Sequence, residues 1–166
     1  MEVKFTPWRM AYIKGPRDEE CVLCRVPAET DDPGNLLLWR GERCYVLLNL
    51  YPYNNGHLMV APYAHLADLG ALEPATAAEL MALTQHCVRA LRRVYAPQAF
   101  NIGMNLGRVA GAGIADHLHM HVVPRWQGDM NFMPLLGGTK MIPEALAETY
   151  ARVRAAWQEE ARLAGP

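Results

Sequence analysis

Three histidines occupy alternate positions in a short apolar stretch, namely His117, His119 and His121, with Leu118 and Met120 between them. A strand advances about 3.3 Å per residue and its side chains alternate between faces, so the three imidazoles would project from one face about 6.6 Å apart. Burying three imidazoles without partners is costly, so a polar group must meet them. Histidine is largely neutral near pH 7, and it can act as a nucleophile, a proton carrier or a metal ligand.

A glycine-rich segment, 107–113, leads directly to the histidine stretch. Glycines lack Cβ, so the backbone N–H groups of Gly111, Ala112 and Gly113 could approach a phosphate closely. Attack of the central imidazole, His119, on phosphorus is the interpretation that uses both features. Two alternatives stay open, a solvated histidine face and a catalytic zinc ion held by the histidines.

A second group of chemical interest is the Cys-x-x-Cys pair formed by Cys21 and Cys24. This is the spacing of a zinc-ligand pair, but redox-active dithiols share it, and buried thiols without a ligand would also fit. A redox role would call for a βαβ context that the surrounding sequence does not show. Cys44 and Cys87 stand alone in apolar surroundings, so the cysteines do not form a disulfide framework.

The elements that must position these residues follow from the spacing of apolar side chains. We expect strands at 36–40, 43–50, 57–62, 99–106 and 117–123, the first two joined as a hairpin. Helical spacing predicts two main helices, from about 73 to 95 and from about 143 to 164. This order predicts an α+β fold on a mainly antiparallel sheet.

Length and charge limit the choice of partner. The 166 residues are 51% apolar, with Lys+Arg 16 against Asp+Glu 17, which predicts one soluble domain over 1–166. A near-zero net charge argues against nucleic acid or a membrane as partner, so a phosphate-bearing ligand must be small and held by local geometry. The N-terminus lacks a signal pattern, and we therefore expect a cytoplasmic protein.

The stretch from His117 to Val123 reads His-φ-His-φ-His-φ-φ, with φ apolar, and it resembles the signature of the histidine triad (HIT) family. The likeness extends upstream to Asn49, to 56–62 and to 105–107, so it spans a core of about 20–126. The resemblance implies a HIT-like fold with a five-stranded antiparallel sheet. It also implies a homodimer that binds purine nucleotides.

The resemblance further implies roles for individual residues. His119 would be the nucleophile, within a catalytic group that also includes His117, while His121 and His57 would contact or protonate phosphate groups. Asn49 would bind the ribose. The remaining nucleotide contacts would come from one amide, two loop glycines and two apolar strand residues: Asn105, Gly111, Gly113, Val46 and Leu48.

Zinc-bearing members of the family, to which this chain is similar, use the cysteine pair, a histidine after the third strand and the first triad histidine. The corresponding residues here are Cys21, Cys24, His65 and His117. A closed Cys₂His₂ site would be structural and would support the imidazole next to the nucleophile. No organic cofactor is implied.

The stretch 123–132, with 137–140 beyond it, resembles the bacterial branch related to diadenosine tetraphosphate phosphorylases. Gly113 stands where phosphoramidase and hydrolase branches commonly have Gln, which favours the phosphorylase-like branch. His119 would attack the α-phosphorus of a dinucleoside polyphosphate and expel ATP; inorganic phosphate would then yield ADP, or water would yield AMP. A phosphoramidase and a non-catalytic, zinc-containing nucleotide sensor are the alternative functions.

Overall fold

An antiparallel sheet of five strands runs through residues 20–129 and 143–163, the part of the chain that the computed structural model describes. The strands lie in the spatial order β1-β2-β3-β5-β4. Their bounds are β1 Leu37–Arg40, β2 Cys44–Leu48, β3 Leu58–Pro62, β4 Ala99–Gly103 and β5 Met120–Arg125. The antiparallel sheet of an α+β fold is thus confirmed, including the hairpin of β1 and β2.

The described part of the chain contains three α-helices: α1 (Val22–Ala28), α2 (Pro74–Tyr95) and α3 (Leu146–Leu163). Helix α2 has Pro74 in its first turn, where the missing N–H costs nothing. Helices α2 and α3 match the two that periodicity predicts. Helix α1 was not predicted, because seven residues with an internal proline show too few turns for a helical period. In the residues described, no helix combines the length and the hydropathy that a bilayer span needs.

The two faces of the sheet carry different side chains because alternate strand residues point in opposite directions. Val60 and Val122 are fully buried on the face that α2 and α3 cover. Met59 lies on the other face, in a second apolar cluster with Leu23 of α1. Met59 is also the register partner of His121, so His121 belongs to the α1 face.

Helix α3 closes the larger core. Its residues Tyr150, Val153 and Trp157 are buried together with side chains of β2, β3 and α2. Burying a large apolar side chain contributes about 1.5–3 kcal/mol. The Tyr150 hydroxyl also donates to the Leu37 carbonyl at 3.0 Å, which links the C-terminal helix to the edge strand β1.

The strand that carries the histidines begins later than the alternating pattern predicts. β5 begins at Met120 and not at His117, and its register with β3 runs only to the pair Val60 and Met120. Pro62, at the end of β3, has no N–H to continue the ladder. The preceding segment is held differently, through a 2.8 Å bond from the Leu118 N–H to the Leu66 carbonyl.

Candidate active site

Three of the predicted catalytic histidines meet on the α1 face of the sheet. His119 and His121 are only 6% and 9% exposed, and their ring centroids lie 4.8 Å apart in an edge-to-face contact. His57, which immediately precedes β3, is fully buried with its ring centroid 5.1 Å from that of His121. The structure therefore brings together the predicted nucleophile and the two predicted phosphate contacts.

Hydrogen bonds determine where His57 and His121 carry their protons. The Tyr53 backbone N–H donates to His57 Nδ1 at 3.0 Å, so this nitrogen must hold a lone pair. The proton of His57 is then on Nε2, which donates to His121 Nδ1 at 2.9 Å. A neutral His121 consequently carries its own proton on Nε2, where it can donate to a phosphate oxygen.

The opposite tautomer is set for His119. Its Nδ1 lies 2.9 Å from the carbonyl oxygen of His117, and a carbonyl oxygen only accepts. The proton of His119 is therefore on Nδ1, and Nε2 holds the lone pair. An imidazole oriented in this way presents the nitrogen that a nucleophile needs.

Burial keeps these imidazoles in their neutral forms. It lowers the pKa of His119, against a smaller opposite effect of the bond to the His117 carbonyl. Burial, with the neighbouring His119 as a second cause, lowers the pKa of His121 to about 4. The rings of His119 and His121 are thus uncharged near pH 7. Each neutral ring carries one proton, on the nitrogen identified above.

Asn49, the predicted ribose contact, lies beside His57 at the end of β2. Its Oδ1 accepts the Tyr51 N–H at 2.9 Å, which identifies Nδ2 as the atom 3.4 Å from His57 Nδ1. Its backbone N–H donates to the His57 carbonyl at 2.9 Å. Asn49 therefore supports the His57 tautomer, and its contact with ribose stays a prediction.

Val46 and Leu48 do not lie with the histidines. Both belong to the core beneath α2 and α3, whereas their neighbour Leu47 points to the α1 face and pairs with Met59. Their burial beneath α2 and α3 contradicts the prediction that Val46 and Leu48 line a base pocket beside the histidines.

The glycine-rich segment forms a tight turn, with positive φ values of 82° at Gly107 and 93° at Gly111. The Gly111 N–H donates to the Arg108 carbonyl and the Ala112 N–H to the Gly107 carbonyl, so both N–H groups close the turn itself. The expectation that these two hold phosphate is not supported by this geometry. A phosphate contact of Gly113 stays a prediction.

Asn105 is half-buried between β4 and this turn. Its role in nucleotide binding also stays a prediction. Segments 130–132 and 137–140, which carry part of the family resemblance, lie outside the described residues.

The cysteine pair lies with two histidines from distant parts of the chain. Cys21 caps the start of α1 and Cys24 lies in its first turn, while His65 follows β3 and His117 precedes β5. Their ligand atoms all lie within 4.8 Å of one another. His117 Nδ1 is 3.5 Å from both sulfur atoms, and His65 Nδ1 is 3.2 Å from Cys24 Sγ.

This cluster fits a tetrahedral zinc ion. Zinc bonds of about 2.3 Å to sulfur and 2.0–2.1 Å to nitrogen, at a tetrahedral angle, separate the two ligand atoms by about 3.5 Å. His117 Nε2 donates to the Pro62 carbonyl at 2.8 Å, which leaves the lone pair on Nδ1 facing the sulfur atoms. Two thiolates and two imidazoles would fill the four positions of such an ion and leave none open.

The geometry also bears on the alternative of a catalytic zinc ion on the triad. Within residues 20–129 and 143–163, the group able to hold a metal ion includes His117 but neither His119 nor His121. Both ring nitrogens of His117 are directed at Pro62 and the cysteine pair. A direct catalytic role for His117 stays a prediction, and its ring contacts Pro62, His65, Cys21 and Cys24.

Sequence reasoning did not identify the residues that orient the histidines. Tyr53 contributes its backbone N–H, and no side-chain pattern signals such a role. Pro62 contributes a carbonyl oxygen, although its position at the end of a strand was expected. Asp129 lies at the centre of hydrogen bonds that reach the loop before His57.

The strand order and the alternating buried histidines define a protein of the histidine-triad type. The family model described as HIT domain matches residues 34–128, more than half of the chain. The protein belongs to the HIT family.

Relatives and solved structures extend this assignment. The chain is 42% identical over 165 residues to a Mycobacterium tuberculosis protein named AP-4-A phosphorylase, covering 94% of this chain and 84% of that protein. It is 28% identical over 98 residues to the asymmetrical bis(5'-nucleosyl)-tetraphosphatase of Schizosaccharomyces pombe, covering 59% of this chain and 53% of that protein. A zinc-bound histidine triad family protein from Mycobacterium smegmatis superposes with a TM-score of 0.70 at 27% identity, covering 87% and 97% of the two chains.

Proposed function

We propose that the protein is a dinucleoside polyphosphate phosphorylase that transfers an adenylyl group from diadenosine tetraphosphate to inorganic phosphate through His119. The observation that carries this proposal is the His119 tautomer, in which the His117 carbonyl holds Nδ1–H and Nε2 is left to attack. The similarity to a protein named AP-4-A phosphorylase over 94% of this chain supports the substrate and the acceptor.

In the first step, the Nε2 lone pair of His119 forms a bond to an α-phosphorus while the bond from that phosphorus to the bridging oxygen breaks. The products are an adenylyl-histidine and ATP, which departs with the bonding electron pair. Charge that develops on the phosphate oxygens meets the His121 Nε2–H, whose direction is set by the bond from His57. The Nδ1–H of His119 stays on the His117 carbonyl as the ring becomes cationic.

In the second step, an oxygen of inorganic phosphate attacks the adenylyl phosphorus. The bond between phosphorus and Nε2 breaks, the lone pair returns to His119, and the product is ADP. Water in place of phosphate would give AMP, which is the outcome for a hydrolase. The neutral state of His119 and His121 suits both steps, because neither ring has to lose a proton first.

The experiment is incubation of the purified protein with diadenosine tetraphosphate, with and without inorganic phosphate, followed by chromatography of AMP, ADP and ATP. Phosphate-dependent formation of ADP and ATP is the expected result. AMP and ATP in both conditions would overturn the phosphorylase in favour of a hydrolase. Turnover of adenosine 5'-phosphoramidate alone would point to a phosphoramidase, and binding without turnover of either compound to a sensor.

We also propose that Cys21, Cys24, His65 and His117 hold a structural zinc ion. The proposal is supported by three sulfur–nitrogen separations of 3.2–3.5 Å, by ligand atoms that all lie within 4.8 Å of one another, and by the zinc-bound structure of the similar M. smegmatis protein. Zinc supplies a rigid closed site there and no open position for chemistry. The residues themselves fasten α1 to the segment before β5, which contains the carbonyl that orients His119.

A homodimer formed through the edge strand β4 is the proposed assembly. Among the residues that the structure describes, β4 pairs only with β5, and Ile102 within β4 is 46% exposed. An edge with unpaired backbone groups and an exposed branched apolar side chain suits antiparallel pairing with a second copy. Light scattering should give twice the chain mass for the parent protein and the chain mass for Ile102→Lys; an identical mass for both would contradict this interface.

The cytoplasmic location stays a prediction. It is compatible with the thiol state of Cys44 and Cys87, which are buried in the core, because reducing compartments keep cysteines as thiols. Cell fractionation with an antibody to the protein measures the location directly.

A further inference from the structure

We propose that Asp129 is a positioning residue for the reaction, because through Asn54 it holds the loop that sets the proton position of His57. The inference rests on the proposed function, in which His57 directs His121 toward the phosphate. Asp129 follows β5, the strand that carries His121. β5 would thus supply His121, and the residue that follows β5 would hold His57, the partner of His121, in place.

The Asp129 carboxylate is the centre of a compact set of hydrogen bonds. Its Oδ2 accepts from Asn54 Nδ2 at 2.8 Å, from Arg125 Nε at 2.6 Å and from the Trp126 N–H at 3.1 Å. Its Oδ1 accepts from Arg125 Nη2 at 2.8 Å. The side chain is only 9% exposed. Arg125 first, then the Trp126 N–H and Asn54, hold the pKa of Asp129 at about 2, so the carboxylate is charged at neutral pH.

Asn54 connects the Asp129 carboxylate to the backbone of His57, the hydrogen-bond partner of His121. Its amide nitrogen donates both to Asp129 and to the Pro124 carbonyl at 3.1 Å, which uses its two hydrogens and fixes the side chain. Its backbone carbonyl accepts the His57 N–H at 3.2 Å. The preceding residue, Tyr53, supplies the N–H that donates to His57 Nδ1. Asp129 is therefore two hydrogen bonds from the backbone of His57.

The functional consequence follows from the tautomers. If the loop moves away, His57 Nδ1 loses the Tyr53 N–H and keeps only the longer 3.4 Å contact with Asn49 Nδ2, so it can itself take the proton. His57 Nε2 would then present a lone pair to His121, whose proton would move to Nδ1. His121 would face the phosphate with a lone pair instead of an N–H. Such a change weakens transition-state stabilisation more than binding, so it should lower kcat and leave KM nearly unchanged.

A different reading is that Asp129 and Arg125 form an ion pair that matters only for stability. Arg125 is 35% exposed, and exposed ion pairs contribute little. The chain offers a matched control in Asp32, which pairs with Arg40 through both carboxylate oxygens but belongs to the loop before β1. Asp32→Asn removes an ion pair of the same kind without a bond to the loop before His57.

The test combines kinetics with imidazole NMR on the full chain. Asp129→Asn and Asn54→Ala should each lower kcat for diadenosine tetraphosphate about 10- to 100-fold, with KM within about 3-fold. The ¹⁵N signals of His57 should move from the Nε2–H pattern toward a mixture of tautomers. The double variant should be no worse than either single one, because both act through one contact. Asp32→Asn should behave as the parent protein in both measurements.

Parent-like kcat and parent-like His57 signals in Asn54→Ala would overturn the proposal. If Asp129→Asn fails to fold, Asn54→Ala still tests the positioning role, because it removes the hydrogen bond between residue 54 and Asp129 without changing any charge. The NMR measurement needs no substrate, so it tests the positioning role of Asp129 even if the phosphorylase proposal is wrong. A parent protein without turnover, but with His57 signals that depend on Asp129, would overturn the phosphorylase and retain the positioning role.

Discussion

His119 is oriented by the backbone of His117, whose side chain belongs to the cysteine cluster. His119 Nδ1–H donates to the His117 carbonyl at 2.9 Å, and His117 Nδ1 lies 3.5 Å from the sulfur atoms of Cys21 and Cys24. The ring of His117 contacts the two cysteines, while its backbone carbonyl accepts the hydrogen bond that orients His119. A substitution in the cysteine cluster should therefore affect the orientation of His119, and with it the reaction rate, through His117.

Disruption of the proposed zinc site should reduce activity without abolishing it. Cys24→Ser removes a sulfur ligand, so the purified protein should lose its zinc, melt at a lower temperature and turn over about 10- to 100-fold more slowly. Metal analysis, thermal unfolding and product chromatography measure the three effects. Cys87→Ala, a buried cysteine in α2 outside the cluster, should keep its zinc. A parent protein that purifies without zinc and matches Cys24→Ser would contradict the structural-zinc proposal.

Removal of the nucleophile should block turnover and spare binding. His119→Ala should lower kcat by at least about 1,000-fold, because the variant lacks the nitrogen that forms the proposed covalent bond. Mass spectrometry after rapid quenching should find an added adenylyl mass on the parent protein and none on the variant. Titration calorimetry should show nearly unchanged affinity for a non-cleavable nucleotide analogue. A covalent adduct on His119→Ala would place the nucleophile at another residue.

His121 should make the free energy of unfolding depend on pH in the acid range. Burial, with His119 nearby, lowers its pKa from 6.5 to about 4 in the folded protein. Between these values the unfolded chain binds more protons than the folded one, so stability is full above pH 6.5 and falls as the pH approaches 4. The loss assigned to His121 is about 3 kcal/mol over this range.

Urea unfolding of the parent protein and of His121→Gln, at a series of pH values from 7 down to 4, measures this dependence. The glutamine cannot gain a proton, so the variant should lose less stability than the parent as the pH falls. The difference between the two curves isolates His121 from the other titrating groups. Parallel curves would show that His121 does not titrate differently in the folded and unfolded states.

Glu144 should be important for the attachment of the C-terminal helix. This carboxylate is 8% exposed on its side chain and accepts hydrogen bonds from Thr149 at 2.6 Å, from Asn55 at 3.2 Å and from the Tyr95 hydroxyl, besides its ion pair with Arg152. Glu144→Gln replaces one acceptor oxygen with a donor group, which should cost about 2–3 kcal/mol in urea unfolding. Glu148→Gln, an exposed position four residues later, should change stability by about 0.5 kcal/mol or less. Equal effects of the two substitutions would contradict this role.

Short-range patterns were sufficient to predict the elements and the kinds of chemistry. Alternation across His117 to His121, the spacing of Cys21 and Cys24, and Pro74 at a helix start all involve near neighbours in the chain. Side-chain direction in a strand and the tolerance of proline in a first helical turn are local properties. The sheet, both main helices and the face that carries the histidines were accordingly predictable. β5 begins three residues later than predicted, because Pro62 has no N–H with which to continue the ladder between β3 and β5.

Only the tertiary structure decided how these parts act together. Val46 and Leu47 differ by one position, and the packing of α2 and α3 against one face decides which of them lies on the face that carries the histidines. A neutral imidazole has two tautomers of similar energy in water, so a few hydrogen bonds determine the proton positions: His57 accepts from the Tyr53 N–H and from Asn49 Nδ2, and His119 donates to the His117 carbonyl. Those bonds exist only after distant segments have folded together, and no local pattern in the chain specifies them.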